Sequence, residues 1–95
     1  MDKRKEIKSA ALERLVAAIH SLETPEETVA FLEELLTASE LRDVVLRWVL
    51  LERLVEGVSQ RKIAKDLKIS LCKITRGSRI LKDSDSVAAR LLRKE

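Results

Sequence analysis

The segment LRDVVLRWVLLERLV, residues 41–55, constrains this chain more than any other. As a helix from about Glu40 to Glu56, it carries Leu41, Val44, Val45, Leu46, Trp48, Val49, Leu50, Leu51, Leu54 and Val55 on nearly every side. A helix apolar all round is either buried or membrane-spanning. Arg42, Asp43, Arg47, Glu52 and Arg53 argue against a membrane, because a charge near the bilayer centre costs roughly 2.5–3.5 kcal/mol. No apolar run reaches the roughly 18 residues that a span needs. The segment is therefore expected to be a central beam, covered by its own chain on one side and by a second chain on another. Thr37 or Ser39 can cap its start, and Gly57 ends it as the glycine just past a helix. At 95 residues, 45% of them hydrophobic, the chain fits one domain that buries only a modest share of its surface alone. Pairing of two copies resolves that mismatch.

Two amphipathic helices precede the beam. After a charged arm, Met1–Arg4, expected to fray, the stripe Ile7, Ala11, Leu15, Ile19 and Leu22, joined by Leu12 and Val16, predicts a helix from about Lys5 to Leu22. Thr24-Pro25-Glu26-Glu27 restarts the chain. Thr24 caps, Pro25 takes the first helical position, and Glu27 completes a capping box. The second helix runs to about Leu36 with Val29, Leu32, Leu35 and Leu36, and Phe31 beside them, turned inward.

Beyond Gly57 the pattern shortens. Ser59 can cap a helix through Leu67, with Ile63, Ala64 and Leu67 on one face. Ser70 can cap another, with Leu71, Ile74, Gly77 and Ser78 inward. Two short helices meeting at a tight turn form a helix-turn-helix over 59–82, with Ala64 small at the crossing and Ile63, Leu67, Ile69 and Ile74 filling the angle. Lys68 stands in the turn, where a left-handed residue costs about 1 kcal/mol. Arg61, Lys65, Lys68, Lys73, Arg76 and Arg79 are left facing outward. A helix of this width fits the DNA major groove. Asp83–Ser86 then caps a last short helix bearing Val87, Ala88, Leu91 and Leu92, within 84–94.

Charge follows the same division. Residues 57–95 carry eleven Lys/Arg against four Asp/Glu, whereas residues 1–56 carry eight against twelve. One end is built for a polyanion. With Phe31 and Trp48 the only aromatics, base stacking on an aromatic platform is unsupported, and duplex DNA is the better partner. The single Cys72 forms no intrachain disulfide and fits a reducing cytoplasm, and one His20 with one Cys72 cannot build a zinc site. No base–nucleophile pair or glycine-rich phosphate cradle marks an enzyme, and no secretory leader opens the chain. Arg47, inside the most apolar helix, reads either as a snorkelling side chain paired with Asp43 four residues earlier or as a fork for a carboxylate, with Arg76 as a second guanidinium and Gly77 leaving room for a flat group.

Ile74-Thr75-Arg76-Gly77-Ser78 with Leu81-Lys82, preceded by Glu56-Gly57, Ser59-Gln60-Arg61 and the Arg47-bearing helix, resembles the tryptophan operon repressor family over roughly Leu35 to Lys82. The resemblance implies an all-α, intertwined homodimer, with residues 5–56 as dimerisation core and 59–82 as the reading head. It implies a cytoplasmic transcriptional repressor of tryptophan biosynthesis or uptake genes that binds an operator in double-stranded DNA, with L-tryptophan as corepressor and no other cofactor. By position, Arg47 and Arg76 would sandwich the indole and Arg76 would hold the carboxylate. Thr37 would face the amino group, Gly77 would leave space for the ring, and Ile80 stands where the family often has a serine. Gln60, Arg61, Lys65, Lys68, Leu71, Cys72, Lys73, Thr75 and Arg76 would face DNA, Arg61 being the candidate for a guanine contact. The link Gly57-Val58-Ser59 is one residue shorter than in the best-known members. With Ile80, it leaves open a regulator of the same superfamily that does not respond to tryptophan. A helical interaction module without nucleic acid is the remaining alternative.

Overall fold

The computed structural model describes residues 3–94, and every regular element among them is helical. In chain order these are α1 (Lys3–His20), α2 (Pro25–Leu35), α3 (Ala38–Val55), α4 (Gln60–Leu67), α5 (Leu71–Lys82) and α6 (Val87–Arg93). No helix among the described residues is long and apolar enough to cross a membrane. The chain forms two compact units, one ending at Ala38 with α1 and α2, the other beginning at Ser39.

In the first unit, α1 starts two residues earlier than its apolar stripe demands. Lys3 and Arg4 are helical rather than frayed, as befits good helix formers leading into Glu6 at the positive end of the helix. Met1 and Asp2, the rest of the expected arm, lie outside the described residues. The helix also ends earlier, at His20, where the Ser21 hydroxyl donates to the Ala18 carbonyl at 2.7 Å and closes the last turn. At α2 the start signal works as read. Thr24 Oγ1 accepts the Glu27 amide at 3.1 Å, and Pro25 follows it into the helix. Glu27 Oε1 reaches back to the amide of Glu23, at 2.8 Å, one residue before the cap.

The apolar faces of this unit are largely uncovered. Ile7 and Leu12 are each 59% exposed, and Val16 and Ile19 are open too. Val29 and Leu35, expected to point inward, are likewise exposed. Periodicity identified the faces; α1 and α2 do not by themselves cover them.

In the second unit, α3 leads to a glycine-dependent stop. Gly57 adopts φ +88°, its amide bonds to the Leu54 carbonyl at 3.1 Å, and the Val58 amide reaches the Arg53 carbonyl at 3.0 Å. This pair of bonds is a Schellman closure, and it turns the chain directly into α4. Ser59 then caps α4 through the Lys62 amide at 3.2 Å, and Ser70 caps α5 through the Lys73 amide at 3.4 Å. Between them Lys68 takes φ 55° and ψ 46°, the left-handed conformation that the tight turn requires.

The core of this unit is small. Leu50, Ile63 and Ile74 are buried together, with Leu54, Val58, Ala64, Leu67 and Ile69 packed against them. α3, α4 and α5 thus each give one residue to the centre. Two expectations are corrected here. Leu71, assigned to the inner face of α5, is 60% exposed; the buried stripe is Ile74, Gly77 and Leu81. As the first residue of its helix, Leu71 projects beyond the crossing. Trp48, expected in the core, is exposed with Val44 and Val45, and Leu50 alone on α3 is fully buried. A helix apolar on several sides exceeds what α4 and α5 can cover. α6 packs on the end of α5, where Ser86 caps it and Arg93 donates to the Leu81 carbonyl at 3.1 Å.

Candidate nucleic-acid interface and effector cleft

The α4–turn–α5 corner presents a largely basic set of exposed side chains. Gln60, Arg61 and Lys65 on α4, Lys68 in the turn, and Leu71, Cys72, Lys73, Thr75 and Arg76 on α5 are all exposed, as is Arg79. The buried Ile63 and Ile74 hold the two helices from behind, so the exposed set is fixed by the same packing that forms the core. Between Gly57 and Lys82 the sole acid is Asp66. It is already engaged, 3.1 Å from the Lys62 ammonium and 3.7 Å from the Arg53 guanidinium. Asp66 apart, the outward cations have no acid on their own corner, and their field points to solvent. Such a surface suits phosphate oxygens.

Behind this surface, still within the second unit, lies a cleft of about 390 Å³ between α3 and α5. Arg47, Leu50 and Leu51 line it from α3; Lys73, Arg76, Gly77 and Ile80 line it from α5. Both stripes follow helical spacing: three and four residues on from Arg47, and three, four and seven on from Lys73. Gly77 is there for a steric reason. A methyl on its Cα would lie 3.3 Å from Leu50 Cδ2 and Leu51 Cδ2 and 3.4 Å from Leu54 Cδ1, so with alanine at the crossing these leucine ends would have to shift for α5 to keep its close approach to α3. The volume falls within the range of small-molecule sites, roughly 300–1,000 Å³. Arg47 forms no ion pair with Asp43, and its side chain is exposed at the cleft.

The sequence-derived ligand set thus divides. Arg47, Arg76, Gly77 and Ile80 are brought together at the cleft. Thr37 stands exposed in the first unit, directly before α3. Lys73, assigned to DNA alone, also lines the cleft, with Leu50 and Leu51 as its floor. Their signal was present in the sequence as the two stripes just described. No group of metal-ligating side chains occurs among the described residues.

Residues 10–95 match the family model of the Trp repressor protein. The chain belongs to the Trp repressor family. It is similar to a Trp operon repressor homolog of Chlamydia trachomatis serovar L2 (strain 434/Bu), 40% identical over 70 residues that cover 68% of this chain and 74% of the relative. A Trp operon repressor homolog of Xylella fastidiosa (strain M23) is 33% identical over 76 residues, covering 79% and 83%. No solved structure matches the chain. Membership places the protein among repressors, a regulatory class rather than an enzymatic one.

Proposed function

We propose that this member of the Trp repressor family is a homodimeric, sequence-specific DNA-binding repressor whose grip on duplex DNA is set by a small ligand in the α3–α5 cleft. The observation that carries the DNA reading is the outward corner: its basic side chains are all exposed, and the one local acid is held by Lys62 and Arg53. α5 would enter the major groove with Arg61 of α4 nearby for a guanine or phosphate, the docking described for helix-turn-helix proteins, the Trp repressor among them. Two such heads require a dimer. The uncovered apolar residues Ile7, Leu12, Trp48 and Val45 support one, since monomeric surfaces rarely leave that much apolar area open.

L-Tryptophan is the ligand that the family implies. Leu50, Leu51 and Gly77 would floor an indole, Arg47 and Arg76 would flank it, and a guanidinium would hold the carboxylate with two parallel hydrogen bonds. A second reading is favoured by Ile80. It puts hydrocarbon on the cleft wall, where an amino acid's ammonium needs an acceptor, and it fits a regulator of the same family that ignores tryptophan.

The test is fluorescence anisotropy on duplex DNA with increasing salt, with and without tryptophan. Arg61→Ala and Lys73→Ala should each weaken binding and flatten the log–log salt slope by about 1 if each neutralises one phosphate. Unchanged binding in both variants would remove the DNA reading.

A further inference from the structure

We propose that the hollow between the end of α5 and α6 is an anion site of its own, one that holds a phosphate group. It shares no residue with the α3–α5 cleft. Its volume is about 230 Å³. That is below the roughly 300–1,000 Å³ of sites for drug-sized ligands and several times the roughly 30 Å³ share of one water. A small polyatomic anion is the guest of that size which the lining favours. The apolar part is confined to Leu81 and Ala89, both buried. Around them stand three cations, Lys82, Arg90 and Arg93, and two hydroxyls, Ser84 and Ser86, against the single acid Asp83.

Part of this lining is already held in place. Arg93 Nη1 donates to the Leu81 carbonyl at 3.1 Å, a bond from α6 to α5 that fixes one guanidinium and leaves the other N–H groups of its fork open to a ligand. Ser86 Oγ accepts the Ala89 amide at 3.0 Å, so its own proton remains to donate. Asp83 Oδ1 accepts the Asp85 amide at 2.9 Å. Among the described residues, neither Asp83 nor any of the three cations is in an ion pair. Guanidinium forks match phosphate oxygens with parallel hydrogen bonds, and an ammonium adds a point charge. Cations in the last turns of α5 and α6 also offset the helix dipoles, but that role needs no convergence on one hollow. Two sources can supply the phosphate. One is the duplex backbone, which rests on the DNA reading above. The twelve residues of α5 run about 18 Å, and the major groove is about 8.5 Å deep, so a helix entering by its first turn has its last turn outside the groove, on the side of the phosphates. The other is a free phosphate, which needs no DNA.

The experiment compares the wild-type full chain with Arg90→Ala, Arg90→Lys and Arg61→Ala, each with its urea midpoint measured. Two readouts are taken: anisotropy on duplex DNA against salt, and calorimetric titration with inorganic phosphate at low ionic strength. If the hollow holds a backbone phosphate, Arg90→Ala should flatten the log–log salt slope by about 1 without changing the preferred sequence, and Arg90→Lys should restore it. If it holds a free phosphate, the wild type should give a saturable heat whose affinity Arg90→Ala lowers roughly tenfold, the loss of one charge-assisted hydrogen bond, with the DNA slope unmoved. Movement of both readouts would mean that one site takes phosphate from either source. An Arg90→Ala chain that moves neither, whatever its urea midpoint, would overturn the site and leave Arg90 only its place at the helix end. In that case a slope still flattened by Arg61→Ala would keep the DNA reading intact. A wild-type chain that binds neither duplex nor phosphate would overturn both.

Discussion

Gly77→Ala separates the two tasks of the α3–α5 crossing. Alanine is favoured over glycine inside a helix by about 0.8–1 kcal/mol, and α5 would gain that. Against it, the new methyl would meet Leu50 Cδ2 and Leu51 Cδ2 at 3.3 Å and Leu54 Cδ1 at 3.4 Å, inside the roughly 3.5–4.0 Å optimum for carbon pairs. Overpacking costs about 1–3 kcal/mol. The low end applies here, because all three obstacles are ends of leucine side chains that need to yield by only a few tenths of an ångström. The two terms nearly cancel, so stability should change by less than about 1 kcal/mol. The cleft does not escape so lightly. Leu50 and Leu51 are part of its lining and can retreat only by shifting within it, and the methyl itself covers floor that Gly77 leaves bare. Affinity for an indole carboxylate should fall by roughly tenfold or more, about 1.4 kcal/mol. Urea unfolding followed by circular dichroism gives the first quantity and calorimetric titration the second. A stability loss above about 3 kcal/mol would mean that the crossing is rigid. Unchanged ligand affinity would mean that the cleft is not where ligand binds.

Three smaller perturbations follow from the head. Lys68→Gly relieves a left-handed residue worth about 1 kcal/mol but adds comparable freedom to the unfolded chain, so the urea midpoint should scarcely move. Lys68→Val, β-branched at φ 55°, should lower stability by more than about 1 kcal/mol in the same assay. Ser70→Ala removes the oxygen that accepts the Lys73 amide and should cost about 1 kcal/mol, with the loss of DNA affinity exceeding that of the matching cap change Ser59→Ala, because Ser70 fixes the entry of α5.

The sequence was most informative where local chemistry decides the structure. Ser59, Ser70 and Thr24 act as caps because a short hydroxyl side chain has one good use at a helix start, and Gly57 and Lys68 stand at positive φ because the chain must turn there. The α4–α5 corner was legible for the same reason: short capped helices leave little choice of register, and the basic residues read as outward are exposed. Burial was read less well. Trp48, Val29 and Leu35 have the periodicity of core residues, but periodicity gives only the direction of a face and not whether anything covers it, and all three are exposed. Leu71 was misplaced because a helix's first residue projects past the crossing that buries Ile74 one turn later. The cleft was half seen. Arg47, Arg76 and Gly77 came from the residues and again from family positions, and Ile80 from family position alone, while Lys73, Leu50 and Leu51 needed the two stripes on α3 and α5 to be set against each other.

Selection from a pool of randomised duplexes by the purified chain bears most directly on the claim that a paired set of α4–α5 heads reads DNA. Enrichment of two-fold symmetric sites is expected, with half-site centres about one helical turn, 10–10.5 base pairs, apart. Recovery of the input pool without enrichment, or of single half-sites without a symmetric partner, would contradict it.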